Sequence, residues 1–195
     1  MNDAKLDKRL KINTIGRDDS GADAYHHPYE PTPYPVLERL VSSGYIHKET
    51  ILTDYGCGKG RVDFYLAATC GCKTIGIEYD ERIYLEAQKN LESFTGKVKP
   101  DFVCVNAENY RVEKGDAFYF FNPFSVEILR GVLGRIMESY YENPRRMQLF
   151  FYYPDSEYVS HLMTCPELIF LDEIECEDLF EGENIRERIL VFEIS

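Results

Sequence analysis

The sequence lacks the features that mark membrane, secreted and zinc-binding proteins. No stretch approaches the roughly 20 consecutive apolar residues that a membrane-spanning helix needs, and the first residues are charged rather than the apolar core of a signal peptide. The 6 cysteines form no C-x-x-C pair of the kind that builds a zinc site. We therefore expect a cytoplasmic protein without a membrane segment and without a bound metal.

Two cysteines, Cys70 and Cys72, lie close together in the chain with Gly71 between them. Such a pair has two interpretations, a metal or redox site or a turn that joins a helix to a strand. Several cysteines lie in apolar runs, where a free thiol packs like a small apolar side chain. We interpret residues 70–72 as a turn.

Positive charge is also scarce. The chain has 22 lysine and arginine residues against 34 acidic ones, a formal net charge of -12. Such a surface repels phosphate backbones and disfavours a large nucleic-acid footprint. A local basic patch of Lys5, Lys8, Arg9 and Lys11 keeps nucleic acid open as a partner. We interpret the patch as a solvated, frayed chain terminus.

The length and the hydrophobic pattern indicate one α/β domain. With 195 residues, 44% of them apolar, the chain is long enough to bury a core. Short β-rich runs alternate with segments of helical spacing after residue 48, which is typical of a parallel sheet covered by helices. Strands are predicted at 51–55, 74–78, 101–106, 117–121, 147–153, 168–174 and 187–194, and helices at 60–69, 81–94, 126–141 and 156–163.

The positions of three strands in the sheet also follow from the sequence. The run 117–121 is almost wholly aromatic and apolar, which predicts a central strand buried on both faces. The last two strands flank an acidic turn that contains glycine, so we expect an antiparallel pair. The predicted fold class is α/β, a Rossmann-like seven-stranded sheet, mostly parallel with an antiparallel C-terminal pair, and with helices on both faces.

The first 48 residues have a different composition. Residues 25–35 hold four prolines, two histidines and three tyrosines, which excludes a long helix or a central strand. We expect an irregular segment that lies over a ligand site, followed by a helix at 36–43. Residues 1–48 are thus predicted to cover the site of a domain formed by residues 49–195, within one compact unit.

The strongest local signal is the run from Asp54 to Arg61, D-Y-G-C-G-K-G-R, where the first strand ends and a helix begins. Glycine lets the backbone turn sharply and approach a ligand, and the helix N-terminus offers free N–H groups. The dinucleotide pattern G-x-G-x-x-G does not fit, since Arg61 stands at the third glycine's position. A P-loop is excluded because Gly60 follows Lys59. The run predicts a site for a nucleotide-like ligand.

An acidic residue at the end of the second predicted strand makes this ligand more specific. Glu78 is placed to accept hydrogen bonds from the two ribose hydroxyls of an adenosine. The alternative is a solvent-facing strand end. The glycine loop directly before Glu78 in element order favours the ribose role.

These two signals together resemble the cofactor site of the class I S-adenosylmethionine-dependent methyltransferases, whose seven strands also end in an antiparallel pair. The resemblance covers residues 49–195 in element order. It implies that Asp54, Gly56 and Gly58 surround the methionine end of the cofactor, that Glu78 binds the ribose and that Tyr79 packs beside the adenine. It also assigns to the cofactor site Cys57, Gly60, Arg61, Asn106, Ala107 and Thr32, with Asn106 and Ala107 near the adenine amine.

A second motif, Phe121-Asn122-Pro123-Phe124, ends the predicted central strand. It resembles the [N/D]-P-P-[F/Y] motif of amino-group methyltransferases but has one proline where that motif has two. With the glycine loop it also resembles a group of bacterial class I methyltransferases. The resemblance implies that Asn122 and the Pro123 carbonyl align the methyl acceptor and that Phe124 stacks on it. The alternative is a simple turn into the next helix, with Ser125 as its N-cap.

The segment 29–33 resembles the Tyr-x-x-Pro-like segment that amino-group methyltransferases fold over the cofactor. Tyr25, His26, His27 and Tyr29 are therefore candidate lid residues, substrate contacts or bases. The predicted function is transfer of a methyl group from S-adenosylmethionine to an undetermined acceptor, such as an amino nitrogen of a small molecule, a protein side chain or an RNA base. The alternatives are a cofactor-binding protein without catalysis and a nicotinamide-dependent oxidoreductase.

Overall fold

Seven strands form one sheet in the computed structural model, which describes residues 3–20 and 25–195. The strands are β1 (Ile51–Tyr55), β2 (Lys73–Glu78), β3 (Asp101–Cys104), β4 (Ala117–Phe120), β5 (Gln148–Tyr152), β6 (Leu168–Glu175) and β7 (Arg188–Ile194). They are ordered β3-β2-β1-β4-β5-β7-β6. Strand β7 runs antiparallel to β5 and β6, and the other neighbouring pairs are parallel. The predicted fold class is confirmed.

Six α-helices surround this sheet within the described residues. They are α1 (Asp3–Leu10), α2 (Tyr34–Ser42), α3 (Arg61–Thr69), α4 (Glu81–Ser93), α5 (Val126–Glu142) and α6 (Ser156–Thr164). Two short 3-10 turns cover Ala107–Asn109 and Glu177–Leu179. Over the described parts of the chain, no helix has the length and apolar composition needed to cross a membrane.

The apolar core lies on both faces of the sheet. Every residue of β4 is buried, and side chains along a strand alternate between faces. Phe118 and Phe120 belong to a cluster that includes the buried face of α5, whereas Ala117 and Tyr119 belong to one that includes α2 and α3. The central position of β4 and the helices on both faces are therefore as predicted.

Helix α4 shows how the sequence specifies its own boundaries. The Asp80 side chain accepts a hydrogen bond from the Arg82 backbone N–H at 2.9 Å, which caps the first turn. Ile83 and Ala87, four residues apart, are buried against the sheet. The helix thus covers β2 and β3 and places its N-terminus next to the end of β2.

The order of the strands locates the ligand crevice. The chain moves outward from β1 to β2 and β3, then returns to place β4 on the other side of β1. In open α/β sheets, ligands bind at such a switch point, beyond the carboxyl ends of the strands. Both sequence motifs lie there, since residues 56–60 follow β1 and residues 121–124 follow β4.

The chain start corrects the interpretation of a frayed terminus, because it forms α1. The Asp7 side chain is 3% exposed and accepts hydrogen bonds from Thr14 N and Tyr34 Oη, each at 2.5 Å. Lys5 and Lys8 are on the exposed side of this helix. A buried carboxylate with several donors fixes the helix against the domain.

Other differences are small and have local causes. The helix predicted at 36–43 begins at Tyr34, because Pro35 is tolerated in a first turn, where its missing N–H is not needed. Strand β3 ends at Cys104, since Asn106 instead caps the turn that follows by accepting from Glu108 N at 3.0 Å. Residues 70–72 lie between α3 and β2 with Gly71 at φ +70°, as the turn interpretation predicts.

Candidate active site

A cavity opens at the carboxyl ends of β1, β2 and β4, and we call it the cofactor cavity. The predicted site residues that line it are Thr32, Asp54, Gly56, Cys57, Arg61, Glu78, Tyr79, Asn106, Ala107, Pro123 and Phe124. Gly58, Gly60 and Asn122 are not among its wall residues.

The loop after β1 turns on Gly56. The backbone N–H groups of Gly56 and Cys57 both donate to the Ile77 carbonyl, at 2.9 and 3.0 Å. Gly56 has φ +75°, and a Cβ there would overlap the Pro123 side chain. Glycine is therefore required for both the turn and the close approach of the two motif segments.

Gly58 and Gly60 have packing roles that the sequence motif did not predict. A Cβ on Gly58 would overlap the ring of Tyr29, and one on Gly60 would come within 2.6 Å of the Phe102 ring. Gly60 is also the N-cap of α3, with φ +85°. These two glycines let the Tyr29 and Phe102 rings pack directly on the loop backbone, outside the cavity wall.

Glu78 ends β2 at the floor of the cavity and is 6% exposed. Its Oε2 accepts from Gly58 N at 3.0 Å and its Oε1 accepts from Asp80 N at 2.9 Å. Burial raises the pKa of Glu78, and these backbone donors act against that rise. A carboxylate oxygen can accept more than one hydrogen bond, so each Glu78 oxygen can also accept one from a ligand hydroxyl.

The predicted adenine end of the cavity is formed by the residues that follow β2 and β3. Asn106 and Ala107 line it together with Ile83 of α4 and Val105. The Tyr79 ring stacks on His26, with ring centroids 3.9 Å apart and an angle of 21° between the planes. This end therefore combines apolar walls with polar groups at its edge.

Arg61 lies at the wall, but its guanidinium is bound to the N-terminal residues. It donates to Thr14 Oγ1 at 2.7 Å and forms an ion pair with Asp3 at 2.6 Å. It also lies 4.5 Å from the centroid of the Tyr34 ring. Arg61 is 2% exposed, and these contacts connect α3 to α1 and to the residues that follow α1. Its predicted cofactor role stays a prediction.

Residues 25–33 form a segment along the cavity wall, which we call the strap. The strap pairs with the segment after β4, because Ser125 N donates to the Tyr25 carbonyl at 2.8 Å and His27 N to the Pro123 carbonyl at 3.2 Å. The Tyr29 hydroxyl donates to the Thr14 carbonyl at 2.6 Å. The strap thereby spans the cavity from the segment after β4 to the glycine loop, where the Tyr29 ring packs on Gly58.

Asn122 lies in a second cavity that adjoins the first. The two cavities share His27, Glu30 and Phe121 in their walls, and the second also contains Tyr153 and Arg186. Asn122 Nδ2 donates to the Tyr153 carbonyl at 2.5 Å. Asn122 Oδ1 is buried and has no hydrogen-bond partner among the described residues. Asn122 thus lies in the wall of the second cavity, with its Nδ2 bound to the end of β5 and its Oδ1 buried.

The backbone at the ends of β4 and β5 is strained. Asn122 has φ +38° and Tyr153 has φ +51°, and both are in the left-handed region that non-glycine residues rarely adopt. Arg186 donates to the same Tyr153 carbonyl at 3.2 Å and lies 4.2 Å from the centroid of the Tyr153 ring. Strained residues cluster at functional sites when surrounding contacts hold them in place.

The other residues of the second motif are more enclosed than predicted. Phe124 is 3% exposed, packs edge-on against Phe120, and its carbonyl accepts from the Tyr158 hydroxyl at 2.7 Å. Ser125 is the N-cap of α5 but makes no side-chain cap hydrogen bond. Phe124 contributes to the wall between the cavity and the core, so its predicted stacking on the acceptor stays a prediction.

Some residues of the site were missed by the sequence motifs. Asp18 pairs with Tyr29 in an isolated β-bridge and lines the cofactor cavity, and Tyr119 and Ile128 line it from β4 and α5. Tyr119 lies in the aromatic run that predicts a buried strand, and Ile128 lies in the helix predicted at 126–141. Nothing local in the sequence marks Asp18, because its position depends on the fold of the strap.

Two curated relatives match parts of the chain, and no protein-family model matches it. A protein-lysine N-methyltransferase of Saccharolobus islandicus (strain REY15A) is 34% identical over 68 residues, which are 34% of this chain and 42% of that protein. The H3 lysine-79-specific histone-lysine N-methyltransferase of Dictyostelium discoideum is 38% identical over 65 residues, 33% of this chain and 3% of that protein. The matches thus span less than half the length of either relative.

Solved structures show the same architecture. Magnesium protoporphyrin IX methyltransferase from Synechocystis PCC 6803, with bound S-adenosylmethionine, aligns with a TM-score of 0.59 at 18% identity. The alignment covers 82% of this chain and 76% of that one. At this identity the likeness shows the fold, which is the Rossmann-like fold of class I methyltransferases.

Proposed function

We propose that this chain, whose fold is that of the class I methyltransferases, is an S-adenosylmethionine-dependent methyltransferase. The observation that carries the proposal is the placement of the Gly56 turn and the Glu78 carboxylate on one cavity wall at the switch point of the sheet. The curated relatives are N-methyltransferases, and the neighbouring structure contains this cofactor.

The residues of the cavity suit each part of the cofactor. Glu78 offers acceptor positions to the ribose hydroxyls, and Ile83, Val105 and Ala107 supply apolar walls for the adenine. Asp54 offers a carboxylate at the methionine end, where the ligand carries an ammonium group. The strap then excludes water from the bound cofactor.

S-adenosylmethionine, when bound, supplies an activated methyl group, so the protein needs no nucleophile of its own. The task of the side chains is to orient the acceptor and keep water away. We assign to Asn122 Oδ1, which is buried and has no hydrogen-bond partner among the described residues, the role of accepting a hydrogen bond from the acceptor amine. The Pro123 carbonyl already accepts a hydrogen bond from the His27 N–H of the strap. A methyl acceptor that contacts this carbonyl therefore lies against the strap.

The proposed acceptor is an amino nitrogen of a lysine side chain. Phe121, Tyr152 and Tyr153 line the second cavity and suit the alkyl stem of a lysine. Arg17 and Arg186 balance the charges of Glu30 and Glu187 in the cavity wall, so the wall has no formal negative excess to hold the amine in its protonated form. Both curated relatives are named as lysine methyltransferases, which supports the same choice.

A groove beside the second cavity supports a basic polypeptide as the source of that lysine. It contains Glu175, Glu177, Asp178 and Glu183 against one cation, Arg39, and it shares Phe180 with the second cavity. Asp178 pairs with Arg39 at 2.7 Å. Three carboxylates are therefore left without a cation among the described residues, and we call this surface the acidic groove.

A methyl-transfer screen tests the proposal. A cell extract, the chain and S-adenosylmethionine labelled in the methyl group are incubated and separated into protein, RNA and small-molecule fractions. We expect label in the protein fraction, on lysine after complete hydrolysis. Label in RNA or in small molecules would contradict the lysine acceptor, and no enzyme-dependent label in any fraction would contradict the methyltransferase function.

A further inference from the structure

Two buried aspartates lie next to each other behind the glycine loop. Asp54 is near the end of β1 and is 3% exposed, and Asp63 is in the first turn of α3 and is 0% exposed. Asp54 forms part of the cofactor-cavity wall, whereas Asp63 does not. The pair therefore connects the cavity to the interior of the domain.

The oxygens of this pair lack well-placed donors. Asp54 Oδ2 and both carboxyl oxygens of Asp63 are fully buried, and no donor among the described residues meets them in good hydrogen-bond geometry. The Asp63 backbone N–H and the Thr74 hydroxyl act on the Asp63 carboxyl only weakly. The two carboxyl groups instead lie against each other, within reach of a hydrogen bond between them. Two ionised carboxylates have only acceptor atoms, so this bond requires a proton on one of them.

No positively charged group is among the titratable side chains that interact with the pair in the described part of the chain. Glu78 faces Asp54 from β2. Cys57 in the loop, Cys72 before β2 and Tyr119 of β4 are the other titratable groups that interact with the pair. Burial raises the pKa of both aspartates, and the proximity of Asp54 raises the pKa of Asp63 further. Both Asp63 oxygens are buried away from the cavity, whereas Asp54 reaches the cavity wall, so the proton belongs on Asp63.

We propose that Asp63 is a positioning residue that retains a proton and donates a hydrogen bond to Asp54, so that the pair presents a single carboxylate charge to the cofactor cavity. The location of the proton stands on the structure of the pair alone. The use of the remaining charge, to bind the ammonium group of the cofactor, rests on the proposed function.

This arrangement explains why two acids occupy a place where one charge is needed. Asp63 fixes the orientation of the Asp54 carboxyl through a strong O–H···O⁻ bond without adding a second negative charge. An asparagine at position 63 keeps a donor of similar shape, whereas a leucine removes it. The two substitutions therefore separate the donor role from simple packing.

The first test measures the binding of S-adenosylhomocysteine by calorimetry. We expect Asp54→Asn to weaken binding about tenfold or more, because the charge is lost, and Asp63→Leu to weaken it by a similar factor. Asp63→Asn should restore binding to within about threefold of the wild type. If Asp63→Asn weakens binding as much as Asp54→Asn does, Asp63 supplies charge and the proposal is overturned.

The second test needs no ligand and measures the melting temperature against pH. The folded pair keeps protons that unfolded aspartates release, so its contribution to stability is complete at low pH and is lost as pH rises above the usual carboxyl range. We expect this decline above the usual carboxyl range to be flatter in Asp63→Asn than in the wild type. Asp101→Asn, which removes an exposed carboxylate at the start of β3, should keep the wild-type profile.

The two tests fail independently. A wild-type-like pH profile in Asp63→Asn overturns the retained proton even if the cofactor binds. A wild-type chain that does not bind S-adenosylhomocysteine contradicts the proposed function, while the pH profile still decides where the proton is.

Discussion

Glu78 is the side chain on which cofactor recognition depends most at the scale of single residues. We expect Glu78→Gln to weaken S-adenosylhomocysteine binding by about 1.5 to 3 kcal/mol, or roughly tenfold to 150-fold. The amide also places an NH₂ group against Gly58 N or Asp80 N, each of which now donates to a carboxylate oxygen. Calorimetry measures the loss, and Glu81→Gln, an exposed neighbour, serves as the control. Equal affinities in the two variants would exclude the ribose role.

Asn122 allows a test that separates its side chain from its backbone. Its φ of +38° disfavours alanine, so Asn122→Gly removes the side chain without adding strain. We expect both Asn122→Gly and Asn122→Ala to lower turnover about 100-fold, because the acceptor loses its alignment. In Asn122→Gly the binding of S-adenosylhomocysteine should stay within about threefold. Wild-type turnover of the glycine variant would make Asn122 a turn residue only.

The sequence predicted the residues whose roles depend on local geometry better than those whose roles depend on distant packing. Gly56 and Glu78 follow from the strand, turn and helix pattern and lie at the cavity wall as expected. Arg61 was assigned to the cofactor, but its contacts with Asp3 and Thr14 come from a segment about 50 positions away. Asp63 gave no signal, because a buried acid in a helix is recognisable only when its partner is known.

At the scale of elements, the strap is the part whose position could be predicted only in outline. Prolines and tyrosines excluded a helix and a central strand, which is correct for residues 25–33. The hydrogen bonds to the segment after β4 could not be predicted, since isolated bridges have no periodicity. Strand and helix boundaries differ by few residues, because hydrophobic periodicity sets the elements while capping contacts set their ends.

Tyr29 tests whether the strap holds the cofactor. Its ring covers Gly58 and its hydroxyl donates to the Thr14 carbonyl. We expect Tyr29→Ala to weaken S-adenosylhomocysteine binding about tenfold or more, mainly through faster dissociation, since the strap loses its contact with the loop. Tyr29→Phe, which loses only the hydrogen bond, should stay within about threefold. Stopped-flow measurement of dissociation checks this, and equal rates in the alanine variant and the wild type would contradict it.

At the scale of the whole molecule, the formal net charge of -12 favours a basic partner over a phosphate backbone. The acidic groove lies beside the second cavity and leaves three carboxylates without a cation among the residues described. Complementary charge raises the rate of encounter and is screened by salt. The net charge of the sequence already argued against a nucleic-acid partner. Only the fold shows which acidic residues lie beside the second cavity.

A pair of charge reversals tests the acidic groove. We expect Glu175→Lys with Glu183→Lys to raise the KM for a lysine-rich peptide about tenfold at low salt and by less at high salt, without a matching loss of S-adenosylhomocysteine affinity. The matched control is Glu92→Lys with Glu113→Lys, which makes the same change in net charge at exposed positions outside the groove. If the two double variants have the same KM, the groove does not bind the acceptor.

The central claim is that the cavity at the switch point binds S-adenosylmethionine, and calorimetric titration of the wild-type chain tests it most directly. S-adenosylhomocysteine and NADH are titrated separately, because both carry an adenosine but only the first has the methionine end. We expect saturable binding of one S-adenosylhomocysteine per chain, competed by S-adenosylmethionine, and no binding of NADH. Binding of NADH without binding of S-adenosylhomocysteine would contradict the claim.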